Sequence, residues 1–230
     1  MIKMRAGICA RILRIQRDKK GHLPEGIMQR LAIDETQQTP HGPRSGLRHV
    51  QMRVCPVYGD DIGMSDECRR HIRMQIEAFL EASGLPYEIW PCDDSLADTA
   101  AFCAHYRVPP ENSVNAILVR SKTTPEDMAL CMVPATHRLD VNKVVRKRLG
   151  AKKASFAPPE DTRAITGMEI GGVTPIGLPP GLRVWVEAKV MDLDYIILGG
   201  GNRTSKLKVP PAIFGMLPDC DIVEELAKPA

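Results

Sequence analysis

From Ser65 onward the chain alternates between helical and extended hydrophobic patterns. Ile72, Ile76, Phe79 and Leu80 fall at i, i+4, i+7 and i+8, the stripe of an amphipathic helix, and Gly84 supplies its stop. Residues 85–90 alternate as a short strand. Residues 95–106 predict a second helix, with Phe102 and Tyr106 one turn apart, that ends before Pro109-Pro110. Extended apolar runs follow at 116–119, 128–133, 184–191 and 195–198. One helix interrupts them: Asp140 can cap it, Val141, Val144, Val145 and Leu149 form its buried stripe, and Gly150 closes it. A last short helix is predicted over 222–227. Scattered strands among few helices predict an α+β fold, and no internal repeat is present.

The first sixty residues lack this regularity. Residues 35–48 are polar and rich in turn formers, so disorder is the expectation there. Residues 3–17 could form a basic helix that contacts RNA or an anionic surface. The plainer readings are a floppy tail, or upstream sequence translated from a misplaced start, with Met52 and Met64 as alternative starts. Charge marks the same division. Residues 1–63 carry eleven Lys/Arg against six Asp/Glu, and residues 64–230 carry twenty against twenty-two. The expected organisation is therefore a basic, poorly ordered extension over 1–63 and one domain over 64–230. The domain is not generally basic, so any RNA contact needs a local patch.

Composition narrows the chemistry further. The seven cysteines and six histidines form no recognisable zinc spacing and no Cys-x-x-Cys pair, so no metal and no cofactor is expected. Idle thiols point to a reducing cytoplasm. No apolar run approaches the ~20 residues needed to cross a bilayer, so no membrane partner is expected. Two glycine-rich segments remain, Gly167 to Gly177 and Gly199-Gly200-Gly201-Asn202-Arg203. Glycine lets backbone N–H groups approach a ligand closely, although each segment alone reads more readily as a tight turn. Neither fits a dinucleotide fingerprint or a P-loop.

In order along the chain stand four elements: L-D-x-x-K-V from Leu139, L-G-x-K-K from Leu149, T-G-x-x-x-G-G-V-x-P-x-G from Thr166, and G-G-x-R ending at Arg203. Together they resemble the YbaK/prolyl-tRNA synthetase editing-domain family over about residues 74–227. The resemblance implies a mixed, curved β-sheet flanked by helices. It also implies hydrolysis of the ester joining a wrong amino acid to tRNA, with the proline tRNA as substrate. The partners would be mischarged tRNA and an aminoacyl-tRNA synthetase, and no DNA. Gly171, Gly172 and Pro175 would belong to the catalytic loop, and a methyl group at Gly171 would intrude on the acyl carbon or its water. Thr99, Gly199, Gly200 and Gly201 would line the substrate pocket. An aminoacyl ester is already activated, so a positioned water or the substrate's own hydroxyl or thiol can attack it while backbone N–H donors hold the oxyanion.

The sequence departs from the family pattern at one telling place. Active relatives carry a lysine, which anchors the terminal nucleotide, where this chain has Ala116; Asn115 beside it should point to the opposite face of a strand. Gly199 and Lys206 likewise stand where some relatives have Ser and Asp. A catalytically impaired tRNA- or ligand-binding protein of the same fold is therefore the alternative to a trans-acting deacylase. A small-molecule ester or amide hydrolase is a third reading. The local basic patch exists: Arg138, Lys143, Arg146, Lys147, Arg148, Lys152 and Lys153 crowd one segment, with Asp140 the only acid among them. Lys143, Arg146, Lys147, Lys152 and Lys153 are the candidate tRNA contacts, against the plain reading of a solvated helix face.

A chain starting at Met64 is expected to fold, with stability within ~1 kcal/mol of the full-length protein, because the removed residues have little to bury. Denaturant unfolding of both proteins checks this. An insoluble or unfolded truncation would refute it.

Overall fold

The computed structural model describes residues 66–230, and the expectations for 1–63 lie outside them. The elements are α1 (Asp66–Ser83), β1 (Glu88–Pro91), α2 (Thr99–Tyr106), β2 (Val114–Ser121), β3 (Met128–Pro134), β4 (His137–Leu139), α3 (Arg146–Arg148), β5 (Ala154–Phe156), α4 (Pro159–Thr166), β6 (Arg183–Glu187), β7 (Ile196–Gly199), β8 (Ser205–Val209), β9 (Cys220–Val223) and β10 (Ala227–Pro229). A five-stranded sheet runs β5-β2-β3-β6-β9, antiparallel at β5-β2-β3 and parallel at β3-β6-β9. A three-stranded antiparallel sheet runs β1-β8-β7, and β10 pairs with β4. The fold is α+β with a mixed sheet flanked by helices.

The large sheet is buried on both faces, which explains why β3 is apolar at almost every position. Leu130 and Met132 enter one core with Ile72, Ile76 and Leu80 of α1 and with Met168, Val173 and Ile176. Ala129, Cys131 and Val133 alternate to the other face and meet Val141, Val145, Leu149 and Trp185. Burial pushes the Cys131 thiol up to about 12, so it behaves as a small apolar group.

Several local expectations need correction. The 95–106 helix is broken, because Asp98 takes an extended backbone and caps α2 through the Ala100 and Ala101 N–H groups, while Asp94–Leu96 forms a separate 3₁₀ turn. Asp140 does cap the next helix, at Lys143 N, but Val141–Val145 is a π-turn before the single α-turn of α3. The 184–191 run ends as a strand at Glu187, whose carboxylate folds back to the Lys189 N–H and starts a 3₁₀ turn over Ala188–Asp192. The helix predicted over 222–227 does not form. Residues 220–223 extend sheet pairing as β9, and the buried Glu187 carboxylate accepts the Ala227 N–H at 2.8 Å. Those tertiary bonds override a weak helical preference. Helix α4 is absent from the sequence reading, although Pro159 at its first turn followed by Glu160 and Asp161 is a start signal.

Candidate functional site

The site begins where two strands part. β2 and β7 start side by side at a parallel bridge between Ser113 and Ile197, and then separate. β5 covers the same edge of β2 only at 119–121. The stretch of β2 between the bridge and β5 therefore has an open edge. The Leu118 carbonyl accepts the Ala157 N–H on that edge, so by strand alternation the peptide groups of Ala116 point the same way. Here lies a cleft of about 230 Å³, walled by Ser113 and 114–117 of β2, 197–199 of β7, Gly171, Val173, Thr99 and Lys206.

Because the cleft runs along a strand edge, residues from both faces of β2 border it. Asn115 turns toward α2 and accepts a hydrogen bond from the Thr99 hydroxyl at 2.7 Å. Ala116 packs toward the first core. The opposite directions expected for the two side chains are present, yet both reach the cleft.

The two glycine-rich segments meet behind it as bare backbone. A Cβ at Gly172 would lie 1.9 Å from the Asn202 carbonyl oxygen, and one at Gly199 would lie 2.3 Å from the Gly172 carbonyl oxygen. The Gly201 N–H donates to that same Gly172 oxygen at 2.7 Å, and the Gly172 N–H donates to the Glu169 carbonyl at 2.9 Å. Arg203 locks the contact: its backbone N–H donates to the Glu169 carboxylate, and its guanidinium to the Ile170 and Asp94 carbonyls. Gly171 holds φ +88°, and a Cβ there would meet Arg203 Nη1 at 3.1 Å and Ala97. A methyl at this position presses on the loop's support, which corrects the expectation that it would enter the acyl space. Of the candidate residues, Thr99, Asn115, Ala116, Gly171 and Gly199 border the cleft. Gly172, Gly200, Gly201 and Pro175 are not among its lining residues, and Gly172 already uses its N–H within the loop.

Lys206 is the ionisable side chain of the cleft wall. It is 7% exposed, and its ammonium donates to the Gly171 carbonyl at 2.8 Å and the Ala97 carbonyl at 3.1 Å. The Phe102 ring centre is 5.4 Å away. Burial lowers its pKa below the usual lysine value. Cys92 and Cys103 lie nearby, and burial pushes both thiols up, which makes them poor nucleophiles. Sequence reading gives Lys206 no role, because β8 carries no strand signal strong enough to set it opposite Gly199.

The basic candidates stand elsewhere. Lys143, Arg146, Lys147, Lys152 and Lys153 are all exposed and flank the second core, on the sheet face away from the Gly171 loop. Arg148 is engaged, pairing with Asp221 and lying 5.0 Å over the Trp185 ring. Among the described residues, no group of three or more His, Cys, Asp or Glu is placed to hold a metal ion, and no helix is long and apolar enough to cross a membrane.

Residues 93–214, just over half of the chain, match the aminoacyl-tRNA editing domain. The chain belongs to that family. A protein of Enterococcus faecalis (strain ATCC 700802 / V583), provisionally named Cys-tRNA(Pro)/Cys-tRNA(Cys) deacylase EbsC, is 27% identical over 95 residues. That match takes in 41% of this chain and 56% of the relative, so the chain spans about half the length of the curated relative. The fold is shared with the crystal structure of a protein provisionally described as a trans-editing enzyme for prolyl tRNA synthetase. The TM-score is 0.59 at 17% identity, covering 73% of this chain and all of that one. A hypothetical protein of solved structure gives a TM-score of 0.58 at 20% identity, over 67% of this chain and 99% of that one. In this editing domain, then, the two glycine segments pack backbone to backbone beside an open strand edge.

Substitutions in that support should separate fit from strain. Gly172→Ala is expected to cost ~3 kcal/mol or more, since carbonyl backbone must move to admit the methyl. Gly171→Ala should cost ~1–2 kcal/mol through its left-handed backbone. Urea unfolding of the two variants checks the order, and a Gly172→Ala protein as stable as the wild type would refute the contact.

Proposed function

We propose that this editing domain acts in trans and hydrolyses the ester of a mischarged tRNA, with the proline tRNA as substrate. The observation that carries the reading is the cleft at the open edge of β2, backed by the two glycine segments. At about 230 Å³ it is smaller than the ~300–1,000 Å³ of pockets for drug-sized ligands, which suits a small aminoacyl group with its nucleotide outside. Valine, isoleucine and leucine side chains line part of the wall. Thr99, Asn115 and the unpaired peptide groups at Ala116 offer donors and acceptors for the amino acid's polar atoms. Water adds to the ester carbonyl carbon, whose π electrons move to its oxygen. The tetrahedral species then expels the ribose oxygen, which takes the water's proton. No enzyme nucleophile is required, in keeping with thiols that burial holds protonated.

The basic segment supports a tRNA substrate. Lys152 and Lys153 lead directly into β5, which covers the same edge of β2 that opens into the cleft, and the Lys122 N–H donates to the Lys153 carbonyl there. An acceptor arm lying along this edge would place phosphates against the cations and its aminoacyl end against the cleft. Ala116 favours the second reading, a protein of this fold that binds tRNA or a ligand without turnover, because the family lysine is absent there.

Single-turnover deacylation of cysteinyl-, alanyl- and seryl-tRNA for proline decides between them. Cleavage of at least one, well above spontaneous hydrolysis, is the expected result. Retained tRNA affinity with no cleavage would transfer the case to the binder. Separately, Arg146→Glu with Lys147→Glu should weaken tRNA binding and flatten its dependence on salt, by roughly one to two in the log–log slope, with the fold intact. Unchanged affinity across a salt series would reduce that segment to a solvated face.

A further inference from the structure

Lys206 occupies a position that a purely structural role does not explain. It projects from β8, the middle strand of the three-stranded sheet, where it pairs with Gly199 of β7 and Trp90 of β1. Its ammonium is buried against the cleft, and two of its three N–H groups go to the Ala97 and Gly171 carbonyls. The groups around it are the thiols of Cys92 and Cys103, Asp98 at the α2 cap, and Arg203 from the glycine segment. The thiols are held neutral by burial, and among the described residues no carboxylate forms an ion pair with Lys206. A desolvated cation without an anion is costly, and fixing two carbonyls needs only neutral donors. The charge is accounted for if negative charge develops on a bound substrate beside it.

We propose that Lys206 is a catalytic residue of this cleft: its third N–H hydrogen-bonds the carbonyl oxygen of the bound aminoacyl ester and holds the negative charge that forms there. This rests on the ester-hydrolysis reading above. The lysine keeps its proton throughout; the charge on the oxygen appears as water adds and disappears as the ribose oxygen leaves. The cation thus reaches the cleft from β8, across from the β2 position where Ala116 presents only a methyl group. The same ammonium holds the Gly171 carbonyl, so loop and charge are registered to each other. A preorganised donor aimed at a developing oxyanion contributes ~100- to 1,000-fold in rate.

The test compares the wild type with Lys206→Met, Lys206→Arg, Ala116→Lys and the double variant Ala116→Lys/Lys206→Met in single-turnover deacylation. Lys206→Met should lose ~100-fold in the maximal rate while half-saturation moves less than about threefold. Lys206→Arg should keep at least roughly a tenth of the activity, and Ala116→Lys should recover about tenfold in the Met background. After subtraction of spontaneous hydrolysis, the wild-type rate should fall as pH rises through the lowered lysine pKa, and Lys206→Arg should lack that fall. Lys206→Met turning over within about threefold of wild type would overturn the proposal. So would a loss that neither arginine nor the relocated lysine relieves, since that pattern belongs to loop support alone.

Binding decides the case independently of turnover. Two adenosine conjugates are compared: one with an amide in place of the ester, and one with a tetrahedral phosphonate in place of the carbonyl. Lys206→Met should weaken the phosphonate by ~30-fold or more and the amide by less than about threefold. If the wild type cleaves no aminoacyl-tRNA yet shows this difference, the hydrolase reading fails while the anion site stands. Equal effects on both conjugates, or no binding of either by the wild type, would overturn the Lys206 assignment.

Discussion

The arrangement around the cleft depends on two backbones touching with no side chain between them. Gly172 lies so close to Asn202 and Gly199 that any Cβ would overlap carbonyl atoms. The Gly172 carbonyl can then accept the Gly201 N–H, and Arg203 can reach across to Ile170 and Asp94. Once the two segments are joined, Gly171 and Val173 border the cleft that opens beyond the Ser113–Ile197 bridge between β2 and β7. The loop that braces the site thus forms one wall of the cleft that opens where strand pairing stops. A buried sheet edge would ordinarily leave costly unpaired peptide groups. Here that edge faces a cleft, where water or substrate can satisfy them.

The rigid support bears on how little chemistry the site contains. An aminoacyl ester needs orientation and charge stabilisation more than it needs a nucleophile, and preorganised dipoles serve that purpose only if they do not move. Hydrogen bonds that stay within the loop, such as Gly172 N–H to Glu169, hold the loop, and the peptide groups at the open edge of β2 are those that face the cleft. The Thr99–Asn115 hydrogen bond performs a similar task across the cleft by fixing α2 against β2.

Much of this fold is legible in hydrophobic spacing. The stripe of α1, the continuous apolar run of β3 and the caps at Asp140 and Gly150 each have a local cause. The failures share a different cause. Residues 222–227 carry an acceptable helical pattern, and pairing of Ile222 and Val223 with β6, pairing of Ala227 with β4 and the distant Glu187 carboxylate hold them out of it. The break before α2 depends on Asp98 choosing the backbone of a cap, a choice the apolar pattern does not record. The site divides in the same way. Gly171 and Gly199 stand out in glycine-rich segments, Thr99, Asn115 and Ala116 only through resemblance to a family, and the fold brings all five to one cleft. Lys206 shows in the sequence only as a departure from the family pattern, because its neighbours in sequence, Ser205 and Leu207, say nothing of Gly171 or Ala97, which lie 35 and 109 residues away.

The absence of a lysine at position 116 therefore does not describe the electrostatics of the cleft. A side chain's contribution depends on where its charged end arrives, and strands on opposite walls of a small cavity can deliver the same group to the same space. Ala116 leaves β2 without a cation, while Lys206 places one on the β8 side, bonded to the loop that borders the cleft. A lysine anchored to two carbonyls loses less side-chain freedom on binding than one reaching freely from a strand, and its burial strengthens the field it exerts within the cleft. The exchange also alters what the cleft tolerates: the methyl at Ala116 leaves β2 with exposed peptide groups and room beside them, which a long side chain would fill. Departure from the family's residue pattern at one position is thus compatible with conservation of charge in the cavity, and the positions to weigh are those that share the cavity, not those that share an alignment column.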